Sequence, residues 1–276
     1  MECKLPDITV HYEEYGEGMP ILMLHGYTPD HRLMTGCMEP IMSERRGWRR
    51  IYLDLPGMGK TRGEQWITSS DQMLDVVLQF IDQVLPGQRF LVAGESYGGY
   101  LAQGIVYWRP EMVDGLFLLC SVVIARHADR EVPPPTVLVE NPALMASLST
   151  ADAEEFGSMA VVQDETGWQR FRNEIMPGLA AADQPFLAKV REQFEFSFDV
   201  ITPAMTFEAP TLILAGRQDA SVGYRDAWRI LEQYPRATFA VLDRAGHNLQ
   251  IEQATLFSVL MSEWLDRVEE YIRLRG

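Results

Sequence analysis

The chain has 276 residues, 47% hydrophobic and 23% charged, the balance of a globular protein with enough apolar material for a full core. Asp and Glu outnumber Lys and Arg 39 to 24, a net charge of −15 that argues against nucleic acid or an anionic membrane as partner, because phosphate surfaces select clustered cations. Cys3, Cys37 and Cys120 stand at no metal-ligand spacing, the stretch Met1–Pro6 has no apolar leader core, and no apolar run reaches membrane-spanning length. The expectation is a cytoplasmic protein with no metal and no cofactor.

Short apolar runs alternate with helical periodicity, which predicts an α/β fold with a mostly parallel central sheet flanked by helices. Ile8–Tyr12 alternates like an edge strand. Pro20–Gly26 reads as a buried strand ending in glycine, and Arg50–Asp54 as another, closed by the turn Pro56-Gly57-Met58-Gly59. Ser69-Ser70-Asp71 then caps a helix whose apolar face is Leu74, Val77, Leu78, Phe80, Ile81 and Leu85. Phe90–Gly94 is the next strand, and the helix behind it stops before Pro110. Val113–Val123, Thr211–Leu214 and Ala237–Leu242 complete the strands, and a terminal helix carries Phe257 to Ile272 at helical spacing. Between about Ala125 and Phe207 no strand pattern appears. Helical pieces at Thr150–Gln163, Trp168–Met176 and Gln184–Phe194 predict an insertion of helices, because a structureless loop of that length does not fit a compact domain. The expected organisation is a core of residues 1–124 and 208–276 with a helical cap at 125–207.

The most informative stretch is Gly94-Glu95-Ser96-Tyr97-Gly98, between a strand and a helix. A serine hydroxyl becomes a nucleophile only when it is held exposed, given a base and set beside an oxyanion binder. Glycines two residues either side allow the sharp turn that holds it. The last two strands supply the rest: Asp219 follows Leu212–Gly216, and His247 follows Val241–Gly246. Sites in open parallel sheets form beyond the carboxyl ends of the strands, so Ser96, Asp219 and His247 are expected on one edge. There, imidazole takes the serine proton and the carboxylate fixes its tautomer.

With these parts in order, the chain resembles the α/β-hydrolase superfamily: His25-Gly26 after an early strand, Asp54-Leu55-Pro56-Gly57-Met58-Gly59 after the next, the Ser96 elbow, Asp219, and Gly246-His247. The resemblance implies the α/β-hydrolase fold with a helical cap inserted late in the sheet. It also implies an oxyanion hole made by the backbone N–H groups of Tyr27 and Tyr97. The loop reads His25-Gly26-Tyr27-Thr28-Pro29-Asp30 instead of the glycine-rich form, which leaves the Tyr27 side chain near the pocket. A serine at the elbow argues against the dehalogenase and epoxide-hydrolase members, which carry aspartate there.

Other residues draw lesser expectations. His25 reads as a structural brace of its loop, and His31 as a substrate-pocket residue. Glu95 is expected to anchor the elbow or border the pocket. Asp243 is the weaker competitor of Asp219, and Glu252 is placed in the first turn of the terminal helix, where a carboxylate suits the dipole. Gly59-Lys60-Thr61 lacks the earlier glycine of a phosphate-binding loop, because Asp54 stands there. The expected activity is acyl-enzyme hydrolysis of a small carboxylic ester. The alternatives are a proline-iminopeptidase-like aminopeptidase gripping an α-amine through Glu192, Glu195 and Glu208, or a carbon–carbon bond hydrolase or acyltransferase with the same triad. A non-catalytic binding protein is disfavoured by the intact triad. The expected partner is a small-molecule ester or amide, and oligomeric state is not legible.

Overall fold

A computed structural model describes residues 1–201 and 206–275. Eight strands form one sheet: β1 (Glu2–Lys4), β2 (Thr9–Tyr15), β3 (Met19–Leu24), β4 (Trp48–Leu53), β5 (Phe90–Glu95), β6 (Val113–Leu119), β7 (Thr211–Gly216) and β8 (Ala237–Leu242). Their spatial order is β1-β2-β4-β3-β5-β6-β7-β8. The β1–β2 and β2–β4 pairs are antiparallel and every later pair is parallel. The expected edge strand is therefore second from the edge, and the short β1 lies outside it. β5, β6 and β7 are buried along their whole length, which explains why they read as unbroken apolar runs and not as alternations.

Helices α1 (His31–Met42), α2 (Ser70–Val84) and α3 (Tyr97–Trp108) connect β3 through β6. Ser69 caps α2 as expected, its side chain accepting from the Gln72 N–H. After β3 the chain runs outward to β4, then returns to lay β5 on the other side of β3. This reversal leaves the loops after β3 and β5 side by side with no helix between them, the place where open α/β sheets bind ligands.

Between β6 and β7 the chain leaves the sheet. It forms α4 (Pro142–Ser147), α5 (Thr150–Met159), α6 (Glu165–Glu174), α7 (Met176–Ala181) and α8 (Gln184–Arg191). Of the segment 125–207, residues 202–205 lie outside the described residues. The excursion packs on α3 through aromatic rings: Phe196 stacks on Tyr100 with centroids 4.1 Å apart, and the Phe196 N–H donates to the Tyr100 hydroxyl at 3.0 Å. The chain closes with α9 (Arg225–Arg229), α10 (Leu249–Glu252) and α11 (Ala254–Arg275). Phe257, Met261, Trp264, Leu265 and Val268 of α11 are buried. Among the described residues no helix is long and apolar enough to cross a membrane.

Candidate active site

β5 delivers Ser96 into a backbone conformation of φ 51° and ψ −113°, one that L-residues rarely adopt and that persists only where surrounding structure enforces it. The enforcement is visible. The Ser96 N–H donates to Leu119 O at 2.9 Å, and the Val122 N–H donates to Ser96 O at 3.0 Å, pinning the turn to the end of β6. A Cβ at Gly94 would stand 2.3 Å from Gly98 O, and one at Gly98 would stand 2.2 Å from Leu24 O. Both glycines are thus required, one for the turn and one for the approach of α3 to β3.

Asp219 and His247 meet beyond β7 and β8. Their loops touch so closely that a Cβ on Gly216 would lie 2.2 Å from Gly246 O. The His247 Nδ1–H donates to Asp219 Oδ2 at 2.9 Å. Asp219 Oδ1 accepts from the Ser221 and Val222 amides at 2.8 and 3.1 Å. Burial alone would raise the Asp219 carboxyl, but His247 and the two amides hold it below its ordinary value. Burial alone would likewise lower His247; the facing carboxylates Asp219 and Glu95 outweigh that and lift it to about 9.

Nε2 of the same ring lies 3.2 Å from Glu95 Oε1. Among the described residues no hydrogen bond joins Ser96 Oγ to His247. Glu95 is 1% exposed, and burial raises its carboxyl to about 7 even against the opposing pull of His247. Glu95 was expected to anchor the elbow or border the substrate pocket; its carboxylate packs against Gly26 beside the elbow and faces the imidazole, away from the cavity above Ser96.

The two expected oxyanion donors sit where the β3 and β5 loops converge. A Cβ on Gly26 would fall 2.2 Å from Glu95 Oε2 and 3.3 Å from the Ser96 Cβ, so the Tyr27 loop lies against the elbow. His25 braces it: the Leu55 N–H donates to Nε2 at 3.0 Å, which puts the proton on Nδ1, and Nδ1 donates to Gly26 O at 2.8 Å. Among the described residues neither the Tyr27 nor the Tyr97 N–H has an acceptor. The Tyr27 ring meets Tyr97 edge-on at 5.1 Å, its hydroxyl donates to Leu187 O, and the Arg191 guanidinium lies 5.0 Å from its ring centre.

His31 does not belong to this group. Its backbone N–H and its Nδ1–H both donate to Asp54 Oδ1, at 2.9 and 2.8 Å, and its Nε2 lies 3.4 Å from Glu13 Oε1. Burial would raise Asp54, but the bond from His31 and the nearby imidazoles hold it at about 2. The pair fixes the loop after β4 and contributes nothing to the cavity wall above Ser96. Nearness in sequence to the Tyr27 loop was a poor guide, because α1 begins at His31 and turns the ring towards β4.

Ser96, Tyr27 and Tyr97 open onto a cavity of about 670 Å³ whose outer wall comes from the excursion, including Arg126, Arg191 and Phe194. His247 instead lines a second cavity of about 120 Å³, with Val161 and Ser221.

A model of the alpha/beta hydrolase family matches residues 21–258. The chain belongs to the α/β-hydrolase family. It is 28% identical over 249 residues to the pimeloyl-[acyl-carrier protein] methyl ester esterase of Nitrosomonas europaea, covering 87% of this chain and 92% of that one. It is 25% identical over 275 residues to the 2-hydroxy-6-oxononadienedioate/2-hydroxy-6-oxononatrienedioate hydrolase 2 of Pseudomonas putida, covering 94% and 92%. The solved structure of an alpha/beta superfamily hydrolase from Oenococcus oeni superposes with a TM-score of 0.89 at 30% identity, covering 98% of this chain and 99% of that one. The relatives are hydrolases.

Two residues that bind this α/β-hydrolase site together were not identified from sequence. Glu252 ends α10 and is not in the first turn of α11. Its carboxylate accepts from the Gly246 and Val161 amides at 2.6 Å each and from Val162 at 3.2 Å, tying the His247 loop to the excursion. Arg130 donates to Ile124, Ala125 and Ser221 carbonyls at 2.8, 2.9 and 3.0 Å, joining the chain after β6 to the Asp219 loop. No local pattern marks either one, since the contacts that join the two regions, Arg130 to Ser221 and Glu252 to Val161 and Val162, run to backbone groups about ninety residues away.

Proposed function

We propose that this α/β-hydrolase is a serine hydrolase that works through an acyl-enzyme on a small carboxylic ester. Ser96 attacks the carbonyl carbon while His247 takes its proton. The Tyr27 and Tyr97 amides hold the oxyanion, Asp219 keeps the proton on Nδ1 and stabilises the imidazolium, and His247 then protonates the leaving alcohol. Water repeats the sequence to release the acid. The observation that carries this reading is a strained elbow serine after β5 and an Asp219–His247 pair, bonded at 2.9 Å, after β7 and β8, all at the carboxyl ends of parallel strands of one sheet. The excursion at 125–207 acts as the cap that shapes the substrate cavity. The three cysteines are free and buried, which suits a reducing compartment such as the cytoplasm.

Of the carboxylates considered for an α-amine, Glu192 and Glu195 line the cavity and Glu208 does not; Asp71 joins them, and Arg126, Arg130 and Arg191 share the wall. Three carboxylates thus stand against three guanidinium groups, one of which, Arg130, is tied to backbone carbonyls, so the wall is balanced in charge. The names of the relatives support ester cleavage and leave carbon–carbon cleavage as the second reading, since one of them is a hydrolase of that oxononadienedioate class. Turnover of p-nitrophenyl acetate against proline p-nitroanilide separates ester from amide. Faster cleavage of the ester, abolished in Ser96→Ala, is the expected result; faster cleavage of the anilide contradicts the ester assignment.

A further inference from the structure

The imidazole of His247 is held at both nitrogens by carboxylates. Asp219 takes Nδ1 at 2.9 Å, and Glu95 stands at Nε2 at 3.2 Å. The nitrogen that the proposed chemistry needs beside Ser96 is thereby occupied, and the serine and the imidazole open onto different cavities. Glu95 cannot move far. It is buried at the end of β5, and its Oε2 is packed against Gly26, where even a Cβ would come within 2.2 Å. The ring can move, because a turn about the Nδ1–Asp219 hydrogen bond swings Nε2 while leaving that bond in place.

We propose that Glu95 is a positioning residue that holds His247 in a resting orientation, competing with Ser96 for Nε2 and keeping the Nε2 proton within the site. The step balances without an added reagent. Nε2 gives its proton to Glu95 Oε1, breaking an N–H bond and forming an O–H bond. The neutral ring then turns its Nε2 lone pair to the Ser96 hydroxyl and takes that proton as the oxygen attacks. This inference rests on the serine-hydrolase reading for its consequence, but the pairing of Glu95 with His247 stands on distances and burial alone.

The charges around the pair set the direction of its pH dependence. His247 faces Asp219 from the β7 loop and Glu95 from β5, both raising it, while Arg130 of the excursion opposes them. Glu95 faces His247 and feels Asp219. The buried thiols of Cys120 and Cys37 sense the Glu95 charge but stay protonated, both being raised by burial. Glu252 on α10 is near enough to Asp219 to feel its charge. With His247 at about 9 and Glu95 at about 7, the pair holds a proton through neutral pH. Replacing the carboxylate by an amide of the same shape removes one opposite charge at contact distance, which moves a histidine down by roughly one to three units.

The test is the pH dependence of Ser96 labelling by a fluorophosphonate, together with the imidazole titration of His247 followed by NMR, in wild type, Glu95→Gln and Ser96→Ala. The expected result is that Glu95→Gln shifts the acid limb of labelling, and the His247 titration, to lower pH by about one unit or more. Labelling at neutral pH then rises about tenfold. Ser96→Ala should leave the His247 titration where it is in wild type, since Glu95 and not Ser96 holds Nε2. An unmoved titration in Glu95→Gln overturns the proposal, and so does a titration that moves in Ser96→Ala. Should Glu95→Gln not fold, the wild-type and Ser96→Ala titrations still decide it. Absence of labelling in wild type at every pH would instead strike at the serine-hydrolase reading, and the titrations would judge the pairing by themselves.

Discussion

The strand ends and the excursion at 125–207 face each other across one cavity and are built on opposite terms. At the strand ends Ser96 and Asp219 are fixed by backbone. The Ser96 amide and carbonyl are tied to Leu119 and Val122, Asp219 accepts two amides, and glycines at 94, 98 and 216 let main chains approach where no Cβ fits. The excursion holds itself by short capped helices and aromatic stacking, as where Phe156 packs on Trp168 and Phe171 at 5.5 Å. On the proposed reading, chemistry that needs sub-ångström placement sits on the first kind of scaffold, and selection among substrates falls to the second. Glu252 and Arg130 are the seams between them.

This contrast predicts a ranking of effects. The largest belongs to Asp219→Asn, which keeps shape but lets the wrong nitrogen of His247 carry the proton; ester turnover should fall on the order of 10⁴-fold in kcat. A fall of less than about tenfold would mean that Asp219 does not set the tautomer.

Glu252→Ala comes next, since it strips the acceptor from three amides at the seam. Chemical denaturation should show a loss of about 1–3 kcal/mol, with kcat reduced more than KM is raised, because the Gly246 amide beside His247 is released. If only KM changes, the seam serves the excursion and not the base.

The smallest effect belongs to a residue of the excursion that touches the strand ends only through an aromatic ring. Arg191→Ala removes a guanidinium stacked 5.0 Å from the Tyr27 ring, an interaction of about 0.5–1 kcal/mol, and should change KM for simple esters by only about two- to fivefold. A loss comparable to that of Asp219→Asn would erase the distinction between the two regions.

The same contrast explains what could be read in the sequence. The strand-end positions of Ser96, Asp219 and His247 were legible because each follows a strand with a glycine in the turn, Ser96 and Asp219 after the fully buried β5 and β7 and His247 after the half-buried β8. The buried strands were legible because helices on both faces demand unbroken apolar runs. β1 escaped notice because three residues carry no period. α4 escaped because Pro142–Ser147 buries a single residue, Leu144, and so shows no apolar face. The pocket readings of His31 and Glu95 failed for a common reason: both lie next to pocket residues in sequence, yet their side chains point to partners in the loops after β4 and β8. Glu252 was assigned to a dipole when its real acceptor role depends on Gly246, Val161 and Val162, contacts that only the tertiary fold creates.

The central claim, that Ser96 is the activated nucleophile of this site, is tested most directly by treating the protein with a fluorophosphonate and locating the adduct by peptide mass spectrometry. A single adduct on the peptide containing Ser96, absent in Ser96→Ala and much slower in Asp219→Asn, is the predicted result. No adduct between about pH 6 and about pH 10, or labelling of Ser96→Ala at the wild-type rate, would contradict it.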